Sequence, residues 1–520
     1  MAQAPGAEPG AVRPLEGGAR VAASLAVGLA TFMNVLDVSI ANVSIPAIAG
    51  DLGVSPNQGT WTITSFAVAN AISVPLTGWL TQRFGQVRLF LATTALFVLA
   101  SFMCGLAISM PMLIVFRVVQ GAVAGPMIPL SQTLLLSTYP REKAGAALAT
   151  FSLTILVAPV VGPVLGGWIT DNFSWPWIFY INVPVGLVAL AMTWFLYRER
   201  ETPRVKTPID RVGLALLVIW IGALQLMLDK GKDLDWFASP EIVALGITAA
   251  LGFCLFLAWE LTDEHPVVDL SLFANRNFSA GTLAIALSYA AYFGSIVLMP
   301  LWLQQFMGYT ATDAGLVLAP VGLLALILTP IVGRTSGKID PRILATASLV
   351  VFAVVAWMRS RFDTEVDLWT LVVPTLIQGA AVSCFFIPLI GLALGDLPQE
   401  QIAAASGLNN FLRISAGAFA TSVATTLWES RAALHHARLV EHLTPADPAM
   451  TRTLELLGGV GMDPQQRYGF LERLVNIQAF TLSALELFYA SAILLVLLIP
   501  LLWLAGPPRR AAGTAPAGAH

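Results

Sequence analysis

An aspartate stands inside an apolar stretch. Phe32–Pro46 reads FMNVLDVSIANVSIP, with Asp37 near its middle. A charge at the centre of a membrane helix costs about 2.5–3.5 kcal/mol on insertion scales, so it calls for a partner or a task. Two arginines share this predicament: Arg117 in RVVQGAVAG and Arg413 in NNFLRISAG. A buried carboxyl can sit neutral in a dry cavity, or ionise and pair with a cation. Asp37 can therefore either lock two helices through an ion pair with an arginine or carry a proton across the barrier. The same two roles are open to Arg117, while for Arg413 the structural one leads. Helical spacing puts Asn34, Asp37, Ala41 and Ser44 on one face, Arg117, Gln120, Ala124 and Ser131 on another, and Asn409, Arg413 and Gly417 on a third. Such stripes should line a cavity or a helix contact rather than lipid. The candidate substrate cavity is Asn34, Asp37, Ser44, Arg117, Gln120, Ser131, Asn409 and Arg413, and the candidate proton-coupling pair is Asp37 with Arg117. Glu486 lies about two turns into the last apolar run and reads as reaching the outer interface.

Other chemistries find little support. GRTSGK at Gly333 is one residue short of a phosphate loop, and Ile339 stands where Ser or Thr is required. His435, His436 and His442 read as a solvated helical surface rather than a metal site. Neither a metal, a cofactor nor a nucleic-acid partner is expected, and no catalytic cluster. Cys104, Cys254 and Cys384 fall in separate apolar runs, which argues against a disulfide framework. Uphill movement of a solute would then need an ion gradient. One proton moving inward at ~150 mV releases roughly 3.5 kcal/mol. At about 1.4 kcal/mol per decade that sustains a neutral-solute gradient of a few hundredfold.

The elements that position these residues follow from the apolar runs. Of 520 residues, 57% are hydrophobic and only 11% charged, against about 25% charged in soluble domains. The runs are about 20 residues long, enough to cross a hydrocarbon core about 30 Å thick. Fourteen are read: 22–46, 59–80, 89–108, 112–136, 145–169, 177–197, 212–229, 241–260, 279–304, 314–333, 343–358, 369–392, 402–428 and 479–504. The expected class is an all-α, multi-pass membrane protein in a lipid bilayer, and an even number of spans puts both ends on one side. With those ends inside, 17 of the 28 Lys and Arg fall on inner segments; the short outer loops hold only Lys230, Lys232, Arg359 and Arg361. The positive-inside rule then makes both termini cytoplasmic. Residues 1–20 are expected to be a disordered tail with no removable signal peptide, the first run itself directing insertion.

The two halves resemble each other. Pro140 and Glu142 match Pro398 and Glu400 at an offset of 258, as Gln120–Gly121 match Gln378–Gly379; Gly78 and Arg83 match Gly333 and Lys338 at 255. This predicts two parallel six-helix repeats around a midplane site. The expected parts are a tail (1–20), an N-terminal six-helix bundle (21–200), an inserted helix pair (201–265), a C-terminal six-helix bundle (266–505) with an outer loop at 429–478, and a second tail (506–520).

Two further segments read as moving parts. In the fifth run, APVVGPVLGGW repeats Ala158, Gly162 and Gly166 every four residues, a smooth strip for close helix contact. Pro159 and Pro163 permit a bend. In GWLTQRFGQVR, Gly78 and Gly85 allow a tight turn, and Arg83 and Arg88 can reach helix ends or carboxylates, or simply supply inner positive charge.

LDVSIANVSIP, GWLTQRFGQVR, RVVQGAVAGP and GPVLGGW resemble four signatures of the major facilitator superfamily. WPWIFYINVPVG and AASGLNNFLRISAG resemble further signatures of its fourteen-helix drug:proton antiporters. SQTLLLSTYP, LQLMLDKGKDLDWF and VDLSLFANRNF are similar to EmrB-type exporters, and the likeness runs in order over about residues 20–505. It implies the major facilitator fold with 14 transmembrane helices and export of small hydrophobic compounds in exchange for protons, across a bacterial inner membrane. By motif it implies roles for Asp37, for Arg117, for Gly78, Arg83, Gly85 and Arg88, and for Gly162, Pro163, Gly166 and Gly167. One position departs: where the loop motif often carries an acid before its arginine, Gln82 stands here. The likeness also implies a periplasmic membrane-fusion adaptor, docked on the outer loop, and an outer-membrane channel beyond it. An uptake symporter and a membrane-embedded enzyme or sensor are the alternatives.

Overall fold

The computed structural model describes residues 15–506 apart from 140–143, 205–207, 232, 265, 336–338 and 445–446. Most of both tails, Pro140 and Glu142 of the repeat, and Lys338 lie outside the described residues. The first helix set is α1 (Gly17–Asp51), α2 (Pro56–Gly59), α3 (Trp61–Ser73), α4 (Thr77–Phe84), α5 (Gln86–Gly105), α6 (Met110–Ala124), α7 (Met127–Thr138), α8 (Ala144–Asn172), α9 (Trp177–Tyr180) and α10 (Asn182–Tyr197). An intervening hairpin follows, α11 (Arg211–Lys230) and α12 (Pro240–Glu260). The second set is α13 (Arg276–Gln305), α14 (Ala311–Leu318), α15 (Pro320–Thr335), α16 (Pro341–Arg359), α17 (Leu368–Ser383), α18 (Phe386–Leu394), α19 (Gln399–His442), α20 (Pro448–Gly459), α21 (Pro464–Leu497) and α22 (Ile499–Leu504).

Each of the fourteen apolar runs falls on one of these helices or on a consecutive broken set. Among the described residues eleven helices are long and apolar enough to span a bilayer, or twelve if α2–α4 count as one bent span. The runs at 145–169 and 402–428 supply the others, within α8 and α19. The breaks have causes. Pro75 separates α3 from α4, where the second span bends by 61°. Pro126 separates α6 from α7, and Pro388 lies four residues after Cys384, at the gap between α17 and α18. Proline removes a backbone donor and clashes with the carbonyl four residues back.

The few acids are placed where they are least costly, at helix starts. Asp210, Asp340, Asp367, Asp447 and Asp463 each accept a backbone N–H in the first turn of α11, α16, α17, α20 and α21, which satisfies donors that a helix leaves open. The Arg342 guanidinium hydrogen-bonds Asp340 and holds its carboxyl below the usual range.

Within the first set α1 packs on α8, α10 and α7, and α3 on α6; within the second, α13 packs on α19 and α18, and α15 on α17. Two seams join the sets: α8 against α14 and α15, and α3 against α19. The hairpin's α11 lies along the second seam, touching both α3 and α19. There Gln225 donates to Asp229 Oδ2 (2.8 Å) and to Ser422 Oγ (2.6 Å), and Thr64 of α3 reaches the same carboxylate (3.4 Å). All four are buried. Beyond the end of the bundle that holds Asp51 and Asp171, α19, α20 and α21 continue as a helical projection. It is tied by Arg431 and His435 on Glu486 and by His436 on Glu472. Glu486 is thus half of an ion pair at the root of this projection.

Candidate functional site

Asp37 and Arg117 form an ion pair with both side chains fully buried. Arg117 Nη1 donates to Asp37 Oδ2 at 2.5 Å and to Gln120 Oε1 at 2.7 Å. The other carboxylate oxygen accepts from Gln120 Nε2 (3.0 Å) and from Asn182 Nδ2 (2.9 Å). Asn182 also donates to Ser101 Oγ, which donates to the Phe179 carbonyl. Arg117 Nε donates to the Thr62 carbonyl (2.8 Å), and the guanidinium lies 4.3 Å from the Phe66 ring centre and 5.4 Å from that of Phe179. One carboxylate therefore binds α1, α6 and α10 together. Its charge is met by one cation and two amides, the condition under which a buried pair is tolerable.

Local sequence explains the placement. Arg117 and Gln120 are one helical turn apart on α6, so both reach one point on α1. Gly121 lets α6 close on α3, because a Cβ there would lie 2.2 Å from the Phe66 carbonyl oxygen. Asn182 opens α10 just after the break at Ile181, which aims its amide into the bundle.

The other predicted residues disperse. Asn34 donates to the Ala124 carbonyl and Ser44 pairs with Thr170 Oγ1 of α8, so both make helix contacts. Ser131 is fully buried and its Oγ has no hydrogen bond among the described residues. Asn409 donates to Thr282 Oγ1 of α13. Arg413 is half-buried between the rings of Tyr289 (4.9 Å) and Phe386 (5.6 Å), and donates to Asn410. The structure does not gather the eight into one pocket.

One reading gains its neighbour and two need correction. A Cβ at Gly162 would lie 2.5 Å from Ser39 Oγ and one at Gly166 2.9 Å from the Ile40 carbonyl, so both face α1 of the same helix set. Contact between the sets falls to Gly167, whose Cβ would meet the Ala311 carbonyl at 2.3 Å, and to Gly315, which would meet that of Pro163 at 2.2 Å. Four-residue spacing shows a smooth strip but not which neighbour covers it. In the loop, only Gly85 makes the turn, with φ +88°; Gly78 lies inside α4. Arg83 is exposed and in no ion pair among the described residues. Arg88 lies 3.9 Å from Glu201, which accepts the Val87 and Arg88 backbone N–H groups at the start of α5. Glu201, just past α10, thus brings a carboxylate to the loop that has Gln82 in place of an acid. Finally, Arg359, read as an outer-loop cation, is the last residue of α16 and fully buried.

Asn182 and Ser101 were polar groups that sequence reasoning passed over, and Arg359 was assigned to a loop. Asn182 lies in the quoted WPWIFYINVPVG segment, and Ser101 and Arg359 correspond at the repeat offset of 258.

A profile of the Major Facilitator Superfamily matches residues 27–421. The chain is 52% identical to the "Multidrug export protein EmrB" of Escherichia coli (strain K12) over 509 residues, 98% of this chain and 99% of that one. It is 49% identical to the "Fatty acid resistance protein FarB" of Neisseria gonorrhoeae over 500 residues, 96% of this chain and 99% of that one. Among solved structures, the POT family transporter PepTSo matches with a TM-score of 0.62 at 13% identity, over 94% of this chain and 99% of that one. With the fourteen spans, the two six-helix sets and the inserted hairpin, these likenesses place the chain in the Major Facilitator Superfamily, among its EmrB-type multidrug exporters.

Proposed function

We propose that Asp37 is the group through which export is coupled to protons, with Arg117 as its counter-charge. The observation that supports this is the sealed pair itself, a carboxylate of α1 whose three partners come from α6 and α10. A proton arriving on Asp37 Oδ2 removes the negative charge and leaves Arg117 buried and unmatched. Leaving one half of a buried pair alone costs about 3–5 kcal/mol. One proton crossing at ~150 mV supplies roughly 3.5 kcal/mol. The two magnitudes match, so a single proton suffices to open the pair and a single release to restore it. The units that rock are 21–200 and 266–505, with 201–265 riding on their seam, and the dispersed polar residues line the path as the seam opens.

The substrates are amphipathic, largely hydrophobic toxic compounds, in keeping with the names of both relatives. The chain works in a bacterial inner membrane with both termini cytoplasmic, so the α19–α21 projection faces outward. There it docks a periplasmic membrane-fusion adaptor that meets an outer-membrane channel, as the EmrB likeness implies. Inverted vesicles test the coupling. Adding substrate should dissipate an imposed pH gradient with the native chain and not with Asp37→Asn. Native dissipation by well-folded Asp37→Asn would remove Asp37 from the proton path.

A further inference from the structure

At one end of the inserted hairpin two carboxylates meet. Asp210 directly precedes α11, and Glu260 is the last residue of α12. Each has one oxygen with a donor and one without. Asp210 Oδ1 accepts from the Gly213 backbone N–H (2.8 Å) and from Trp259 Nε1 (3.0 Å). Glu260 Oε2 accepts from the Val268 backbone N–H (2.9 Å). Asp210 Oδ2 and Glu260 Oε1 are both buried, and neither has a hydrogen bond among the described residues. They face each other over Gly213, where a Cβ would lie 2.1 Å from the first and 2.5 Å from the second. The Glu260 residue is only 3% exposed.

Two ionised carboxylates so placed repel each other, and a buried oxygen without a donor is costly. The cations of the neighbouring chain, Arg204, Arg211 and Arg276, are exposed, and none donates to either carboxylate among the described residues. The remaining charged neighbours are acids. Asp263, Glu264 and Asp269 line, with Glu260, a cavity of about 470 Å³ beside the pair. Asp269 is turned to the backbone N–H and Oγ of Ser271. One proton meets both needs of the pair: an O–H on one carboxyl donates to the open oxygen of the other, and one of the two charges is removed.

We infer that Asp210 and Glu260 share one proton and form a pH-sensitive clasp, by which the inserted hairpin holds the connection 261–275 into α13. The clasp goes beyond the export reading and uses no residue of the Asp37 site. Val268 and Leu272 of that connection are buried in one cluster with Leu217 of α11, Phe256 of α12, Phe278 of α13 and Leu408 of α19. The clasp therefore sets how firmly the hairpin grips the second helix set. When the shared proton leaves, it passes to water in the acidic cavity, and two negative charges remain face to face. The pair separates and Val268 loses its acceptor. The native pair binds a proton that separated carboxyls release, so the contact is firm in acid and loosens as pH rises. With both termini cytoplasmic, this end of the hairpin faces the cytoplasm, and the clasp responds to its alkalinity.

Hydrogen exchange of a peptide covering Val268, in the full-length chain in detergent, tests the clasp. Glu260→Gln and Asp210→Asn each put an amide N–H where the shared proton stands, so both mimic the closed clasp at every pH. Comparison with Glu260→Gln at the same pH cancels the intrinsic pH dependence of exchange. The native peptide should exchange within about twofold of Glu260→Gln at about pH 6, and at least about fivefold faster at about pH 8.5. Glu260→Ala, which removes the acceptor of Val268, should exchange fast at both. A native-to-Gln ratio that stays flat with pH would overturn the shared proton. So would exchange as fast in both amide variants as in Glu260→Ala, the result for two ionised carboxylates bridged by a cation. Slow exchange in Glu260→Ala would overturn the hold on Val268. Asp37→Asn should leave the native ratio unchanged, so failure here is distinct from failure of the proton-coupling reading.

Discussion

At the scale of single residues, Asp37 and Arg117 bring two buried charges of the first helix set to one point. Asp37 accepts from Arg117, Gln120 and Asn182. Asp37→Asn keeps the volume but fixes a neutral group, and should leave insertion intact while reducing proton-driven export at least 100-fold; substrate-evoked pH changes in vesicles check this. Asn182→Ala removes one of the two amides on Asp37 Oδ1 and lets Ser101 lose a partner. A lost hydrogen bond to a charged group is worth about 1.5–3 kcal/mol. The expected outcome is an altered pH profile of export with protein yield largely kept, read from initial rates between acid and neutral pH. Much of this site was legible in the sequence, because a charge within 20 apolar residues has few explanations. Asp37 and Arg117 announced themselves in that way, and Gln120 by its place one helical turn from Arg117. Asn182 and Ser101 did not, because a single amide or hydroxyl in an apolar run is cheap enough to be unremarkable, and only the fold brings them to the carboxylate. Arg359 was misread because a cation at the end of a run looks like a loop cation; its side chain points back along the helix, as helical side chains do.

At the scale of elements, the spans were readable from run length and their bends from proline, whereas partners across a smooth surface were not. Gly162 and Gly167 make the difference testable. Gly162→Leu overpacks α8 against Ser39 of α1 and should cost about 1–3 kcal/mol of stability, seen as a lower thermal midpoint. Gly167→Leu meets the Ala311 backbone of the other helix set. It should leave the midpoint nearly unchanged and reduce export more than tenfold, because the end beside Asp171 can no longer close. That closure has polar help: Asp171 accepts the Thr312 backbone N–H at the start of α14 (2.7 Å), and Gln304 donates to the Val43 carbonyl (2.9 Å). Glu201 has the matching office at α5. Glu201→Ala leaves three backbone donors open, those of Val87, Arg88 and Thr202, and should destabilise by about 1 kcal/mol, measurable by chemical unfolding in detergent.

At the scale of the whole molecule, membership among the EmrB-type exporters discards the uptake symporter and the membrane-embedded enzyme, and the proposed docking of an adaptor is tested at the α19–α21 projection. Deleting about 435–470 should preserve transport in isolated vesicles and abolish resistance in intact cells, with adaptor co-purification falling in parallel; full resistance and full adaptor binding after the deletion would exclude the projection as the docking surface. The length of α19 carries one more consequence. Its 44 residues run without interruption from Gln399 to His442, and no glycine or proline follows Gly417. Such a rod is about 66 Å long; it packs on α13 and α3 and along α21, to which Arg431 and His436 tie its far part. It is a lever with its fulcrum in the membrane. Tilting it by about 10° sweeps the final 14 residues, about 21 Å of arm, through roughly 4 Å at the tip. A protein seated there would feel each stroke as a push, and a load applied there would bear back on Arg413.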